Sequence, residues 1–228
     1  MHARSGLATI ETPRTSLVVG IESATTKGGI VAKKPAYQTE PDQDFRSLLW
    51  QQGHITPLQF FRIGAWKSAK GLANLSMNSE DEFRTITERS MAAIKEVAHH
   101  DVVTDKVDWD EWQSAVAEAV GSKAKGTGLL GLVGVGYPIA TALLCILSPK
   151  SFPVMDRWAV QSITSERFAK SSKWMRSAKY RVFTEGLASS QSNAFSSCST
   201  IHERDLVLME RGMKGIPCPE KMRNILVD

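Results

Sequence analysis

From Pro41 onward, apolar residues recur every three or four positions, the spacing that places them on one face of an α-helix. Residues typical of helix N-termini occur at intervals along this pattern. Thr56 precedes a proline at a first helical position, and Ser79 and Asp108 each stand three residues before a glutamate, as in a capping box. No strand pattern of any length appears after Pro41, so the predicted fold class is all-α, a helical bundle. The predicted helices are 42–51, 56–70, 79–99, 108–120, a fifth before residue 132, then 137–147, 156–163, 172–187 and 200–211.

The first forty residues have a different composition. They are rich in serine, threonine, glycine and lysine and show no helical period. Short apolar runs at 17–21 and 29–32 could pair as a small hairpin, but the composition is more typical of a flexible chain terminus. We therefore predict two parts: a flexible N-terminal tail or small extension over 1–40 and an all-α domain over 41–228.

Composition narrows the class of protein without fixing a function. The 228 residues suffice for one domain, or one domain and a tail, and 42% of them are hydrophobic, which is ample for a buried core. The net charge of +4 permits nucleic-acid binding without requiring it. Three scattered cysteines, Cys145, Cys198 and Cys218, are too few for a disulfide framework or a zinc site. No apolar run reaches the length of a membrane span, and 137–147 is typical of a core helix.

A glycine-rich turn precedes the most apolar predicted helix, 137–147. The turn consists of Leu132, Val133, Gly134, Val135 and Gly136. Two glycines spaced in this way between apolar flanks predict a tight turn that needs positive φ or a close backbone approach. Because a helix follows at once, its first N–H groups point into the turn, and such groups attract anions, phosphates above all. The sequence therefore predicts a backbone clamp for a nucleic-acid phosphate.

These residues, together with a downstream aspartate, resemble the helix-hairpin-helix DNA glycosylase superfamily (HhH-GPD). The family's hairpin pattern, Leu-x-Gly-Val-Gly-x-x-x-Ala, is met by Leu132, Gly134, Val135, Gly136 and Ala140. Its apolar helix and the short link that ends in a catalytic aspartate match 137–147 and 152–156. The resemblance covers roughly 129–160, and it implies a DNA glycosylase-like helical fold with a helix-hairpin-helix motif.

Asp156 falls on the family's catalytic aspartate, so the resemblance implies that it acts on a damaged base flipped out of the duplex. Breaking the N-glycosidic bond builds positive charge on the sugar, and a nearby carboxylate stabilises that charge and activates the attacking water. Bifunctional members carry a lyase lysine two residues after the second glycine. That position is Pro138 here, which implies a monofunctional hydrolase of base excision repair. A plainer role for Asp156 also fits, because an aspartate at a helix start caps N–H groups of the first turn.

Local charge indicates where DNA would bind. Lys67 lies beside Trp66 in the predicted helix 56–70, and the predicted helix 172–187 is basic. Both patterns also fit ordinary solvated helix faces, and for 56–70 this plainer interpretation is favoured. The predicted nucleic-acid contacts are Val133, Gly134, Val135, Gly136, Tyr137, Lys67, Lys173 and Arg176. The aromatic residues that could stack on a flipped base are Trp50, Trp66, Tyr137 and Trp158.

Three functional hypotheses follow: a monofunctional DNA glycosylase, a non-catalytic DNA-binding relative of that fold, and a helical interaction protein whose glycine turn only packs helices. DNA affinity separates the third from the others, and base release separates the first from the second. The resemblance implies double-stranded DNA as partner and at most a monovalent cation at the hairpin. Some members carry a four-cysteine iron–sulfur cluster, but three cysteines are too few for one, and no other metal site is expected. We further expect a monomer without membrane association, located inside the cell, in the cytoplasm or, in a eukaryote, the nucleus.

Overall fold

The computed structural model describes residues 42–67, 72–164, 176–223 and 225–226. The predicted tail, 1–40, lies outside the described residues, as does Lys173. Within the described ranges there are eight α-helices and no β-strand, which confirms the predicted all-α class. The helices are α1 (Gln43–Gln52), α2 (Pro57–Lys67), α3 (Glu80–Ile94), α4 (Trp109–Val120), α5 (Tyr137–Leu147), α6 (Arg157–Thr164), α7 (Ser177–Ser189) and α8 (Ile201–Met213).

Helix starts agree well with the caps in the sequence. The Ser79 side chain accepts from the Glu82 N–H while the Glu82 carboxylate reaches back to Ser79, which completes a capping box at the start of α3. Asp108 caps α4 in a similar way through its own carboxylate. Each such cap is typically worth about 1 kcal/mol relative to alanine, so these starts are fixed locally.

The predicted fifth helix before the hairpin is wrong. The chain there forms two short 3-10 helices, Lys123–Lys125 and Leu129–Gly131, instead of an α-helix. Gly121, Gly126 and Gly128 all adopt positive φ in this stretch, and such residues interrupt a right-handed helix. The result is a compact glycine-rich loop that leads directly into the hairpin.

Helix α5 is the centre of the fold. Every residue from Tyr137 to Leu147 except Pro138 is buried, and the helix packs against α1, α2 and α4. Each fully buried leucine or isoleucine side chain contributes roughly 1.5–3 kcal/mol before entropy losses, so this helix anchors its neighbours. No helix in the described part of the chain is both long and apolar enough to cross a bilayer.

Helices α6 and α8 pack closely against each other. They cross at Gly212, where an added Cβ would lie 1.9 Å from the backbone oxygen of Trp158. Only a glycine permits this approach, because any side chain would collide with the α6 backbone. The crossing fixes Trp158 and the start of α6 beside the C-terminal half of α8.

Candidate active site and nucleic-acid interface

The hairpin before α5 adopts a tight turn, but its two glycines differ in conformation. Gly134 has φ of +86°, in the left-handed region, as the sequence predicts. Gly136 has φ of −110° and ψ of 171°, an extended conformation that any residue can adopt. The prediction that the backbone requires a glycine at this position is therefore wrong. A Cβ at Gly136 would meet only Pro138 Cδ, at 3.8 Å. Substitution at Gly136 therefore leaves the folded hairpin intact.

Asn78 ties the hairpin to the start of α3. The Val133 N–H donates to Asn78 Oδ1 at 2.7 Å, and Asn78 Nδ2 donates to the Val133 carbonyl at 3.0 Å. One predicted phosphate donor is thus already engaged within the protein. Among the described residues, no acceptor takes the N–H groups of Gly134 and Gly136, which leaves two hairpin donors for an anion.

The link between α5 and α6 is extended and buried, and three side chains hold its backbone. The Tyr180 hydroxyl donates to the Pro153 carbonyl at 2.6 Å. The Val154 N–H donates to Asp205 Oδ2 at 2.5 Å, and the Met155 N–H to Thr141 Oγ1 at 3.2 Å. These partners come from α7, α8 and α5, so three helices fix the segment that delivers Asp156.

Two of these partners are titratable groups deep in the core. Burial raises the pKa of Tyr180 well above its usual value, so its hydroxyl stays protonated and remains a donor. Burial also raises the pKa of Asp205, against the opposing effects of His202, the Val154 N–H and Lys67. His202 Nδ1 lies 3.0 Å from Asp205 Oδ2 and completes a buried pair.

Asp156 caps α6 and pairs with a lysine. Its Oδ1 accepts from the Ala159 N–H at 2.8 Å, which confirms the capping role that the sequence allowed. Its Oδ2 lies 2.7 Å from Lys67 Nζ at the end of α2. The side chains are only 9% and 12% exposed, so solvent screens this ion pair less than a surface pair.

A cleft of about 480 Å³ opens over this ion pair. That volume lies in the range of about 300–1,000 Å³ typical of ligand sites. Both hairpin glycines and Asp156 line it, so the residues that the sequence singled out meet in one place. Its charged residues are Lys67, Asp156 and Arg157. The lining consists of Lys67, Gly134, Gly136, Pro138, Ile139, Asp156, Arg157, Trp158, Met209 and Met213.

Of the four aromatic residues that could stack on a flipped base, one lines the cleft and three do not. Trp158 lines the cleft, whereas Tyr137 is buried in the core. Trp50 donates to the Leu147 carbonyl at the far end of α5, and the Trp66 ring stands edge-on to His202. Trp158, with Met209 and Met213, forms the apolar wall of the cleft. Sequence reasoning missed both methionines, since their helix gave no sign of facing the hairpin.

The predicted nucleic-acid contacts come together only in part. Lys67, Gly134 and Gly136 line the cleft, and the exposed Val133 lies at the hairpin tip. Val135 and Tyr137 are 2% and 7% exposed, so they would offer DNA little beyond their backbone. Arg176 precedes α7 and is not part of the cleft lining.

Part of the positive charge of α7 is engaged in ion pairs within the protein. Arg181 pairs with Asp110 on α4 and with Glu185 on its own helix. Lys179 is 7% exposed. These two residues therefore do not present the positive face that the local composition suggested.

Two further lysines lie next to the hairpin and were not among the predicted contacts. Lys123 and Lys125 are exposed on the glycine-rich loop. An added Cβ on Gly131 would lie 2.7 Å from the Gly126 backbone, so this loop packs directly against the residues before the hairpin. The sequence shows these lysines as Lys-x-Lys between glycines. They were overlooked because a helix was wrongly predicted over this stretch.

Comparisons of the chain with known protein families, curated proteins and solved structures found no match.

Proposed function

We propose that this protein binds double-stranded DNA through the 133–137 hairpin and is a DNA N-glycosylase with Asp156 as its catalytic carboxylate. One observation carries the proposal: Asp156 lines the same cleft as Gly134 and Gly136, although helix α5 separates it from them in the sequence. A strand held at the hairpin would have its sugar close to the carboxylate. This arrangement is the one that the resemblance to the HhH-GPD superfamily implies.

The proposed chemistry follows from what each wall of the cleft can offer. The N–H groups of Gly134 and Gly136 would bind a backbone phosphate next to the flipped nucleotide. Trp158 and the two methionines, Met209 and Met213, would contact the flipped base. The carboxylate of Asp156 would face the sugar, stabilise its developing positive charge and activate the attacking group.

A non-catalytic DNA-binding protein is the second candidate. The observation that favours it is that both oxygens of Asp156 are already engaged, by the Ala159 N–H and by Lys67. A carboxylate whose two oxygens act as helix cap and ion-pair partner would not be available to act on the sugar. The two candidates share the hairpin and differ only in base release.

The direct test is base release from a panel of duplexes that each carry one damaged base. Under the proposed function, at least one duplex accumulates abasic sites with the wild-type protein. Binding to all duplexes with no abasic sites in any of them would support the non-catalytic candidate instead. Absence of DNA binding at low salt would exclude both.

The hairpin can be tested with glycine-to-alanine substitutions. Gly136→Ala should melt like wild type, because its φ is ordinary and a Cβ has room, yet it should weaken DNA binding by crowding the phosphate site. Gly134→Ala should weaken binding and also cost roughly 1–2 kcal/mol of stability, because its φ is +86°. Binding is measured by fluorescence anisotropy on a labelled duplex.

Gly53→Ala is the matched control for these variants. Gly53 also has positive φ and nothing within 4 Å of an added Cβ, but it caps α1 and lies outside the cleft. It should lose similar stability and bind DNA as wild type does. Wild-type affinity in both hairpin variants would refute the phosphate clamp.

The loop lysines give a second prediction for binding. If Lys123 and Lys125 contact phosphates, replacing both with alanine should weaken binding to every duplex sequence alike. The slope of log affinity against log salt should fall by roughly 1 per lysine. Replacing the exposed Lys150, which pairs with Asp101 beyond the other end of α5, is the control and should leave the slope unchanged.

A further inference from the structure

A second cluster of chemically active side chains lies in the core, apart from the residues that line the cleft. Cys145 of α5 and His202 and Asp205 of α8 bring a sulfur, a ring nitrogen and a carboxylate oxygen within 4.8 Å of one another. All three residues are at most 4% exposed. Cysteine, histidine and aspartate are the residue types that bind zinc in proteins. The sequence gave no sign of this cluster, because Cys145 lies on a different helix from the other two.

We propose that Cys145, His202 and Asp205 bind one zinc ion, which joins α5 to α8. Zinc binds sulfur at about 2.3 Å, imidazole nitrogen at about 2.0–2.1 Å and carboxylate oxygen at about 2.0–2.2 Å. A tetrahedral arrangement with these bond lengths places the ligand atoms about 3.4–3.6 Å apart. The longest separation in the cluster is at most 4.8 Å, so binding requires only small rotations of the side chains.

The charges of the cluster suit an ion in the core. The thiolate of Cys145 and the carboxylate of Asp205 bring two negative charges, and the imidazole of His202 binds as a neutral ligand. One Zn²⁺ ion therefore gives a complex with no net charge, which avoids the large cost of burying an isolated ion. The second oxygen of Asp205 can supply the fourth donor of a tetrahedral site.

The donor atoms also select the class of metal. Magnesium and calcium prefer sites that consist of oxygen atoms, so a cluster with sulfur and nitrogen donors suits neither. Thiolate and imidazole ligands favour zinc and other first-row transition metals. Zinc is the ion that we assign, and cobalt can replace it as a spectroscopic probe.

Contacts around the cluster hold two of the ligands in place. The His202 N–H donates to the Pro149 carbonyl at 3.1 Å, and the His202 ring stands edge-on to Trp66 with 6.1 Å between the ring centroids. Asp205 Oδ2 accepts from the Val154 N–H at 2.5 Å, a contact that a metal-bound carboxylate can keep. Outer hydrogen bonds of this kind commonly orient metal ligands and support metal affinity.

The ion has a structural role in this proposal and takes no part in base release. It connects α5 with α8 next to the link 153–155, which Asp205 holds through Val154. Because this link delivers Asp156, bound zinc should make the position of that carboxylate more rigid. The metal-free protein keeps the hydrogen bond between His202 and Asp205, and stability measured in EDTA reports on that state. The site needs no DNA, so the inference does not depend on the proposed function.

The first test is zinc binding by the full-length protein after treatment with EDTA and removal of the chelator. Titration against a chromophoric zinc chelator should give one zinc ion per chain. Zinc at about 100 times its Kd should raise the Tm by roughly 5–11 °C relative to the metal-free protein. Magnesium at the same concentration should leave the Tm unchanged.

Cobalt binding identifies the ligands, because Co²⁺ bound to a thiolate gives a charge-transfer band in the near ultraviolet. Cys145→Ser should lose this band and bind zinc at least about 10-fold more weakly. Cys198→Ser and Cys218→Ser are the matched controls, since they remove the other two thiols of the chain and should keep both properties. His202→Gln is the second ligand variant and should also lose tight zinc binding. Far-ultraviolet circular dichroism checks that each variant is folded.

Three results would overturn the inference. The first is a wild-type protein that binds no stoichiometric zinc and shows no rise in Tm. The second is a wild-type cobalt complex without a thiolate band, which decides the question even if a variant fails to fold. The third is wild-type zinc affinity in both folded ligand variants, Cys145→Ser and His202→Gln. DNA binding and base release are not measured in these experiments, so their outcome leaves the proposed function of the cleft untouched.

Discussion

Asp156→Asn should lower base release by about 100- to 1,000-fold while leaving DNA binding intact. The amide keeps an oxygen that can accept the Ala159 N–H, so the cap of α6 survives. It has no charge to stabilise the positive charge that develops on the sugar, so the step that the proposed function assigns to the carboxylate fails. The measurement is the single-turnover rate of abasic-site formation on the best duplex of the panel.

DNA affinity should hold or rise in this variant, because an anion leaves a cleft that also contains Lys67 and Arg157. Asp108→Asn is the matched control. It makes the same substitution at the cap of α4, where the carboxylate accepts from the N–H groups of Asp110 and Glu111. Equal base release by the Asp156 and Asp108 variants would leave Asp156 with a structural role only.

The helical part of this fold could be predicted from the sequence because its signals are local. The capping box at Ser79 and the apolar run of 137–147 each specify an element through neighbours in the chain. The loop of 121–131 misled the prediction, because its apolar and basic residues suit a helix while three glycines with positive φ do not. Glycine conformation depends on packing: Gly121 and Gly128 approach each other within a distance that no side chain permits.

The candidate site was only half predictable. Asp156 and the hairpin could be found because they form one pattern over 129–160. Lys67 and Asp205 reach the site from other helices, and Asn78 reaches it from the bend before α3, through contacts across 50 to 90 positions of sequence. Nothing in the local sequence of a lysine at a helix end indicates that it will pair with a distant carboxylate. Such contacts arise from tertiary packing, which a single sequence does not reveal.

Asp205→Ala should destabilise the fold strongly. It removes the acceptor of the Val154 N–H, which donates at 2.5 Å, and the partner of His202 at 3.0 Å. A buried donor left without an acceptor costs about 1–3 kcal/mol, and two groups lose their partner here, so we expect a loss of about 3 kcal/mol. The Tm should fall by roughly 6–12 °C, as measured by thermal unfolding. Base release should fall too, because the link that positions Asp156 loses a tether.

Asp205→Asn separates the hydrogen bonds from the charge. The amide oxygen, placed where Oδ2 lies, can still accept from the Val154 N–H and from His202 Nδ1 when that nitrogen carries a proton, so most of the stability should return. Burial raises the pKa of Asp205 in the folded state, so the native protein holds this proton more tightly than the unfolded chain does. The stability that protonation contributes is therefore fully present at low pH. It is lost as the pH rises from about 4, the pKa of an aspartate in the unfolded chain, through the raised pKa of Asp205 in the folded state.

Asparagine has no such titration, so the stability of wild type relative to Asp205→Asn should decline as pH rises across that window. Urea unfolding at several pH values between about 4 and 7 measures the difference. Tyr180→Phe is the companion control, since it removes the hydrogen bond to the Pro153 carbonyl on the same link. Burial raises the pKa of Tyr180 far above this range, so its loss of about 1 kcal/mol should not vary with pH. A pH-independent difference for Asp205→Asn would show that the carboxylate stays ionised in the core, stabilised by His202 and the Val154 N–H more strongly than burial opposes it.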